Sequence, residues 1–113
     1  MRDIRFRIWV KETETMHLTY NMHNGKGFGT LLFNLNPEMY TDDYILMQYI
    51  GLNDKNGKMI YEDDIVEIGY QFPKREVVFF ENGVFRTKTN ALAFFNDTCS
   101  IIGNIHENLE IIK

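Results

Sequence analysis

The chain has 113 residues, of which 44% are hydrophobic and 25% charged, a size and composition that suit one globular domain with its own core. Its 16 acidic and 12 basic residues give a formal net charge of −4, which argues against a surface built for general phosphate binding. The single cysteine, Cys99, excludes an intramolecular disulfide and a cysteine-rich metal cluster. We expect Cys99 to be a small buried hydrophobe in a reducing cytoplasm.

The N-terminal sequence MRDIRFRIWV mixes charges with apolar residues, so it lacks the apolar core of a signal peptide. No apolar run approaches the roughly 18 residues that a membrane span needs. Aromatic residues make up 14% of the chain, and they favour the half-buried surface of a sheet over a helix. The sequence therefore predicts a mainly β protein that neither spans nor binds a membrane.

The first strand is the clearest element of the chain. Ile4, Phe6, Ile8 and Val10 alternate with charged residues and Trp9, a period of two that is typical of a strand. A polar break at 11–15 is followed by a second run at 16–22, which is predicted to return beside the first strand as a hairpin. Residues 24–29 are rich in glycine and predict a turn, since they lack the helix-opening pattern of a phosphate loop.

The middle of the chain contains a second hairpin signal. Residues 30–35 are apolar, 37–43 predict a loop or one helical turn, and 44–50 predict a strand. Asn56-Gly57 predicts a type I′ turn, because both residues tolerate a positive φ. After a short extended piece at 59–61, the acids at 62–64 predict a solvated bend before a strand at 65–68. The expected core residues are Met47, Tyr49, Ile60, Tyr61, Ile65 and Val66.

The last third of the chain predicts further short strands. Pro73 lies in a loop, 76–80 form a strand, and Asn82-Gly83 joins it to a strand at 84–87. Thr89 or Asn90 is predicted to cap a helical turn over 91–95, and Gly103 predicts a bulge or a close approach within a strand at 100–105. The spacing favours a small antiparallel barrel or meander with at most one or two short helical turns.

The acids at 62–64 are also the best candidate ligands for a divalent metal. Glu62, Asp63 and Asp64 offer carboxylate oxygens, and His106 with Glu107 extends the set. Consecutive side chains of an extended segment point in different directions, however, so a solvated turn is favoured over a metal site. Residues 53–58 lack the terminal glutamate of a calcium loop, and the other histidines are scattered. No cofactor and no catalytic residue is predicted.

The first strand offers the best candidate binding surface. Arg5, Arg7 and Trp9 share one face with Asp3, and guanidinium and indole groups hold phosphates and stack on bases. The alternative is that both arginines pair with the surplus carboxylates, or that they lie in a subunit contact together with Trp9. The acidic net charge favours this alternative.

The stretch Leu46–Ile68, LMQYIGLNDKNGKMIYEDDIVEI, closely resembles the signature of the YopX proteins, which bacteriophages and prophages of Gram-positive bacteria encode. Three further blocks are similar to that family: IRFRIWVKETETM, VVFFENGVFR and IIGNIHENLEII. Asp63 stands where the family usually has glycine, which bears on the shape of the bend because a side chain at positive φ is strained.

The resemblance implies one YopX-like domain over 1–113, with a subdivision into an N-terminal β segment (1–45) and an SH3-like barrel (46–113). It also implies a phage or prophage origin, and it brings no catalytic residues. The favoured function is a non-enzymatic accessory protein in the bacterial host cytoplasm, acting through contacts with itself as a homo-oligomer or with a host or phage protein. The alternatives are a nucleic-acid-binding module using Arg5, Arg7 and Trp9, and a metal-dependent hydrolase using Glu62, Asp64 and His106.

Overall fold

The computed structural model describes residues 4–18, 44–69 and 71–112. The predictions for residues 19–43 therefore lie outside the described residues. The chain divides into two compact units, Asp3–Gln48 and Tyr49–Lys113, the latter together with Met1–Arg2. This boundary lies close to the subdivision that the family resemblance implies.

In the first unit, strand β1 (Phe6–Val10) lies between two antiparallel neighbours. Strand β2 (Thr15–Leu18) returns beside it, with Val10 opposite Thr15, which confirms the first predicted hairpin over its described part. On its other side β1 pairs with the start of β3 (Tyr44–Asn53). Strand β1, which the alternating pattern predicted, therefore has a hydrogen-bonded neighbour on each of its edges.

In the second unit, the end of β3 pairs with β4 (Met59–Tyr61), Tyr49 facing Tyr61. The turn between them differs from the predicted type I′ turn, because among the described residues of this turn only Gly57 has a positive φ, of 80°. The Gly57 amide instead donates to the Asp54 carbonyl at 3.0 Å. The prediction was wrong because the Asp54 carboxylate accepts hydrogen bonds from the backbone amides of Asn56 and Lys58, and these bonds set the conformation of the loop.

The second unit also holds a three-stranded antiparallel sheet in the order β6-β5-β9. Its strands are β5 (Asp64–Ile68), β6 (Lys74–Val77) and β9 (Ser100–Asn104). Gly103 opposes Ile65 while Ile101 opposes Val66, so one extra residue forms the predicted bulge. A Cβ atom at Gly103 would lie 2.6 Å from Oδ1 of Asn108, so a larger residue at this position would displace the Asn108 side chain.

Strands β7 (Phe79–Glu81) and β8 (Val84–Arg86) form a separate two-stranded hairpin. The hairpin predicted at Asn82-Gly83 is confirmed. Asn82 and Gly83 have φ values of 53° and 79°, the positive values that a two-residue type I′ turn requires. The helical segments among the described residues are three 3-10 turns, Leu92–Phe94, Asn96–Thr98 and Leu109–Ile111, where the sequence predicted one or two. The mainly β, antiparallel class is confirmed, and SH3-like character stays a prediction.

The core of the second unit joins side chains from β3, β4, β5 and the segments that follow. Its fully or nearly fully buried members are Ile50, Ile60, Val66, Val78, Leu92 and Cys99. All six residues predicted as core from the sequence are buried. The prediction of Cys99 as a buried small hydrophobe is also confirmed, since its side chain has no solvent exposure.

Candidate functional site

The second unit carries three strongly exposed phenylalanines, large apolar side chains of a type that is more often buried. Phe72, Phe80 and Phe94 expose 89%, 53% and 77% of their surface. Here they are called the exposed phenylalanines. Each lies on a different local element: the loop before β6, strand β7, and the first 3-10 turn. An exposed phenylalanine costs hydration free energy, so these rings are the clearest candidates for contact with another molecule.

The surroundings of two of these rings differ, because Phe80 is packed on a neighbouring ring and Phe94 is directed outward. The Phe80 ring packs on Phe85 with a centroid separation of 4.8 Å, and Phe85 in turn packs on the core. Phe94 points outward because its neighbours in the same 3-10 turn region, Leu92 and Phe95, pack inward. A ring held in one place loses little conformational entropy when a partner covers it.

The predicted binding residues of the first strand lie in the first unit, and two of them are largely covered. Arg7 and Trp9 are each 8% exposed, while Arg5 is partly buried. Ile8, on the opposite face of β1, is also buried. A base stacks only on an accessible ring, so the burial of Trp9 leaves little surface for that contact. Burial suits the alternative in which the arginines pair with carboxylates of the same chain, and this alternative stays a prediction.

The acidic bend at 62–64 is built differently from the predicted solvated turn. Asp64 is 2% exposed, and its Oδ2 accepts a hydrogen bond from the Tyr61 amide at 2.8 Å. The expectation of a solvated acid was wrong for this residue, because the carboxylate satisfies a backbone donor inside the fold. Glu62 and Asp63 remain partly exposed, as a bend requires.

Asp63 has a φ of 70° and joins three parts of the second unit. Its amide donates to the Val78 carbonyl at 2.9 Å, and its carbonyl accepts from the Ile105 amide at 3.0 Å. Its Oδ2 lies 2.9 Å from Nε2 of His106. The side chain that strains this turn therefore also makes an ion pair or hydrogen bond, which offsets part of the strain.

The candidate metal and hydrolase residues are only partly brought together. His106 contacts Asp63, which is not a member of the predicted hydrolase set, and Glu107 accepts a hydrogen bond from the Asn104 side chain. Within the described part of the chain, no group of three or more histidine, cysteine, aspartate or glutamate side chains is placed to hold a metal ion. The bend thus has the geometry of a structural junction.

Asp54 lies in the loop whose sequence partly matches a calcium site, and its carboxylate binds backbone amides instead. Oδ1 accepts from the amides of Asn56 and Lys58, both at 2.9 Å. Oδ2 accepts from the Ile101 amide at 2.9 Å, on the neighbouring strand β9. Asp54 is buried, so these donors take up the oxygens that a cation would need.

Asn104 organises the turn after β9 in the same manner, and sequence reasoning did not single it out. Its Oδ1 accepts from the amides of His106 and Glu107 at 3.0 and 2.9 Å. The backbone amide of Asn104 donates a hydrogen bond to Oδ1 of Asn108. The sequence signal for such a turn is the asparagine itself, and it is a weak one.

Two further titratable groups have shifted pKa values that fit structural roles. Burial, and then the charge of Asp54, raises the pKa of the Cys99 thiol to about 11, so the thiol stays protonated and poorly nucleophilic. Burial raises the pKa of Glu76, but hydrogen bonds from Thr89 and Thr87 outweigh it and lower the pKa below its ordinary value. Thr89 donates to Glu76 through its amide at 3.0 Å and its hydroxyl at 2.5 Å.

These observations define a small antiparallel β protein whose buried acids organise turns and whose second unit presents exposed aromatic rings. A family model described as "YopX protein" matches residues 5–113, so the chain belongs to the YopX family. The resemblance drawn from the signature stretch is thereby confirmed. No helix among the described residues has the length and apolar character needed to cross a membrane.

Two solved structures share the fold. Protein EF1440 from Enterococcus faecalis is 23% identical, with 100% of both chains covered and a TM-score of 0.68. The protein yopX from Bacillus subtilis is 22% identical over 96% of this chain and 98% of its own, with a TM-score of 0.64. At these identities the likeness concerns the fold alone. No curated protein matches the chain.

Proposed function

We propose that this protein is a non-enzymatic accessory protein of a bacteriophage or prophage, which acts in the bacterial host cytoplasm through protein–protein contacts, as a homo-oligomer. The observation that carries the proposal is the set of exposed phenylalanines, Phe72, Phe80 and Phe94. Aromatic residues are enriched in the buried centres of protein interfaces, where they supply much of the binding free energy.

The acidic residues support a contact function over catalysis. A catalytic or metal-binding carboxylate needs oxygens that remain available to substrate or ion. The oxygens of Asp54 are bound to three backbone amides, and Asp64 is buried with a backbone donor. These two acids are the most buried carboxylates of the family signature, and their hydrogen bonds account for them as parts of the fold.

The phage setting rests on the family. The chain belongs to the YopX family, and the resemblance of its signature implies proteins that phages and prophages encode. The same resemblance supports a cytoplasmic location in the host cell. A homo-oligomer is preferred over a hetero-complex because self-association is the commonest way in which small soluble proteins cover apolar surface.

Multi-angle light scattering on the full chain and on a Phe72→Ser/Phe80→Ser/Phe94→Ser variant tests the proposal. We expect a wild-type mass above the 13.4 kDa of one chain, and a variant mass near that value. The matched control is Ile4→Ser, which removes another exposed apolar side chain, of 58% exposure, outside the second unit. Far-UV circular dichroism of each variant checks that the fold persists.

A wild-type protein that stays monomeric at every concentration would remove the homo-oligomer. A wild-type oligomer that the triple variant leaves intact would remove the exposed phenylalanines as its cause. If the control variant dissociates the oligomer and the triple variant does not, the contact lies on the first unit.

A further inference from the structure

Of the three Asn-Gly dipeptides in the sequence, Asn24-Gly25 lies outside the described residues. The other two lie in exposed turns but differ in how firmly the structure holds them. Asn56-Gly57 connects β3 and β4, and Asn82-Gly83 connects β7 and β8. A glycine after asparagine leaves its amide nitrogen open to approach by the asparagine side chain, because no Cβ stands in the way. From sequence alone the two sites are equivalent.

The turn at Asn56 is held by Asp54. The Asn56 amide donates to Oδ1 of Asp54 at 2.9 Å, and the Gly57 amide donates to the Asp54 carbonyl at 3.0 Å. The Asp54 carboxylate is anchored in turn to the Ile101 amide on β9. For Gly57 nitrogen to reach the Asn56 side chain, this group of hydrogen bonds must break together.

The turn at Asn82 has no comparable support. Among the described residues, Gly83 nitrogen makes no hydrogen bond outside the pairing of the strands. The hairpin is a separate two-stranded sheet of three residue pairs, and its tip, residues 81–84, is exposed. Asn82 has a φ of 53°, a left-handed conformation that relaxes when the tip opens. Short two-stranded hairpin ends open at low cost in free energy.

We propose that Asn82 is a site of spontaneous covalent modification, at which the hairpin tip converts asparagine to aspartate and isoaspartate. When the tip opens, the Gly83 nitrogen attacks Cγ of Asn82 and gives up its proton to water. A C–N bond forms, the bond from Cγ to Nδ2 breaks, and the leaving nitrogen takes a proton from water and departs as ammonia. Water then opens the resulting succinimide ring at either carbonyl, giving aspartate or isoaspartate, with no change in oxidation state.

The product changes the hairpin in two ways. It adds a carboxylate beside Glu81, where like charges repel. Isoaspartate also lengthens the backbone by one methylene, which the two-residue type I′ turn does not accommodate. The pairing of Phe80 with Phe85 across the hairpin is therefore expected to weaken in the modified protein.

Peptide mass mapping of the full chain, incubated in mildly alkaline buffer and sampled over time, tests the proposal. In the native protein we expect Asn82 to convert about tenfold faster than Asn56, which corresponds to about 1.4 kcal/mol in the cost of opening. In urea the two rates are expected to become similar, because the turn at Asn56 is no longer held. The variant Asp54→Ala, where it folds, raises the Asn56 rate in native buffer towards that of Asn82.

A conversion rate of Asn82 in the native protein that is equal to or below that of Asn56 would overturn the proposal. So would a complete lack of conversion at Asn82. If Asn82 converts faster than Asn56 by the same factor in native buffer and in urea, the difference comes from neighbouring side chains and not from the fold. That result would also overturn the proposal. The wild-type comparison stands by itself if Asp54→Ala does not fold.

Discussion

Replacing Asp54 by alanine is the sharpest perturbation of the turn that opens the second unit. The substitution removes one buried carboxylate that accepts three backbone amide hydrogen bonds, at 2.9 Å each. Two of them hold the loop between β3 and β4, through Asn56 and Lys58. The third joins that loop to β9 through Ile101, which lies 47 positions away in the chain.

The expected loss in the free energy of unfolding depends on whether each backbone amide that loses the carboxylate can bind water instead. A hydrogen bond to a charged group contributes about 1.5–3 kcal/mol, and an unsatisfied buried donor costs about 1–3 kcal/mol. The amides of Asn56 and Lys58 lie on an exposed loop and regain water, while the Ile101 amide is half-buried and does so poorly. We therefore expect Asp54→Ala to lower the free energy of unfolding by about 2–4 kcal/mol, below the sum of three full bonds.

Urea unfolding followed by far-UV circular dichroism measures this loss. For a domain of this size the same change lowers the melting temperature by roughly 8–15 °C. Asp54→Asn tests the two carboxylate oxygens separately. Its side chain keeps one oxygen as an acceptor, but its NH2 group faces either the loop amides or the Ile101 amide, and a donor there cannot accept their hydrogen bonds. This variant is expected to lie between wild type and Asp54→Ala.

The matched control is Asp97→Ala, which removes an exposed aspartate from a 3-10 turn of the same unit. Its effect should stay within about 0.5 kcal/mol. If Asp54→Ala costs less than about 1 kcal/mol, or no more than the control, the carboxylate does not organise the loop as its three hydrogen bonds indicate.

Three further predictions concern the same unit. Gly103→Ala places a Cβ atom 2.6 Å from a neighbouring side-chain oxygen, so it should destabilise by about 1–3 kcal/mol in urea unfolding; an unchanged midpoint would contradict the close approach. Asp63→Ala should cost about 1 kcal/mol more than Asp63→Gly, because both lose the contact with His106 but only alanine retains the strain at φ 70°; equal losses would show that the turn relaxes. The lowered pKa of Glu76 means that its hydrogen bonds stabilise the fold above the ordinary value of 4.5, and that this contribution is lost as pH falls through the lower, folded pKa. The stability difference between wild type and Thr89→Val should therefore shrink in acid, and a difference independent of pH would contradict the assignment.

Much of the fold follows from local sequence patterns. The alternation in β1 and the Asn82-Gly83 dipeptide each determine local geometry over a few residues, and both predictions were confirmed. All six predicted core residues of the signature stretch are buried. Met47 and Tyr49 follow the period of two, whereas Ile60-Tyr61 and Ile65-Val66 are consecutive residues on strands that are buried on both faces.

The errors come from buried acidic side chains that bind backbone amides, some of them close in the chain and one of them distant. The turn at Asn56-Gly57 departs from type I′ because Asp54 reaches Ile101, and the acidic bend contains a buried Asp64 because its carboxylate caps the Tyr61 amide. A run of acids in a sequence does not reveal which member turns inward. Side chains that bind backbone amides look like solvated residues until the fold is known.

The candidate sites were less predictable than the strands. The period of β1 correctly places Arg7 and Trp9 on one face, but it does not tell whether that face is covered, and both side chains are buried. The exposed phenylalanines show the opposite case. A phenylalanine in a sequence is expected to be buried in the core, and these three side chains lie on the surface. Binding by Arg5, Arg7 and Trp9 stays a prediction, with less accessible surface than the sequence suggested.

Sedimentation equilibrium of the unmodified full chain over a wide concentration range tests the proposed contact function most directly. Reversible self-association predicts a mass above 13.4 kDa at high concentration, which falls towards this single-chain value on dilution. A mass of 13.4 kDa at every concentration would contradict it.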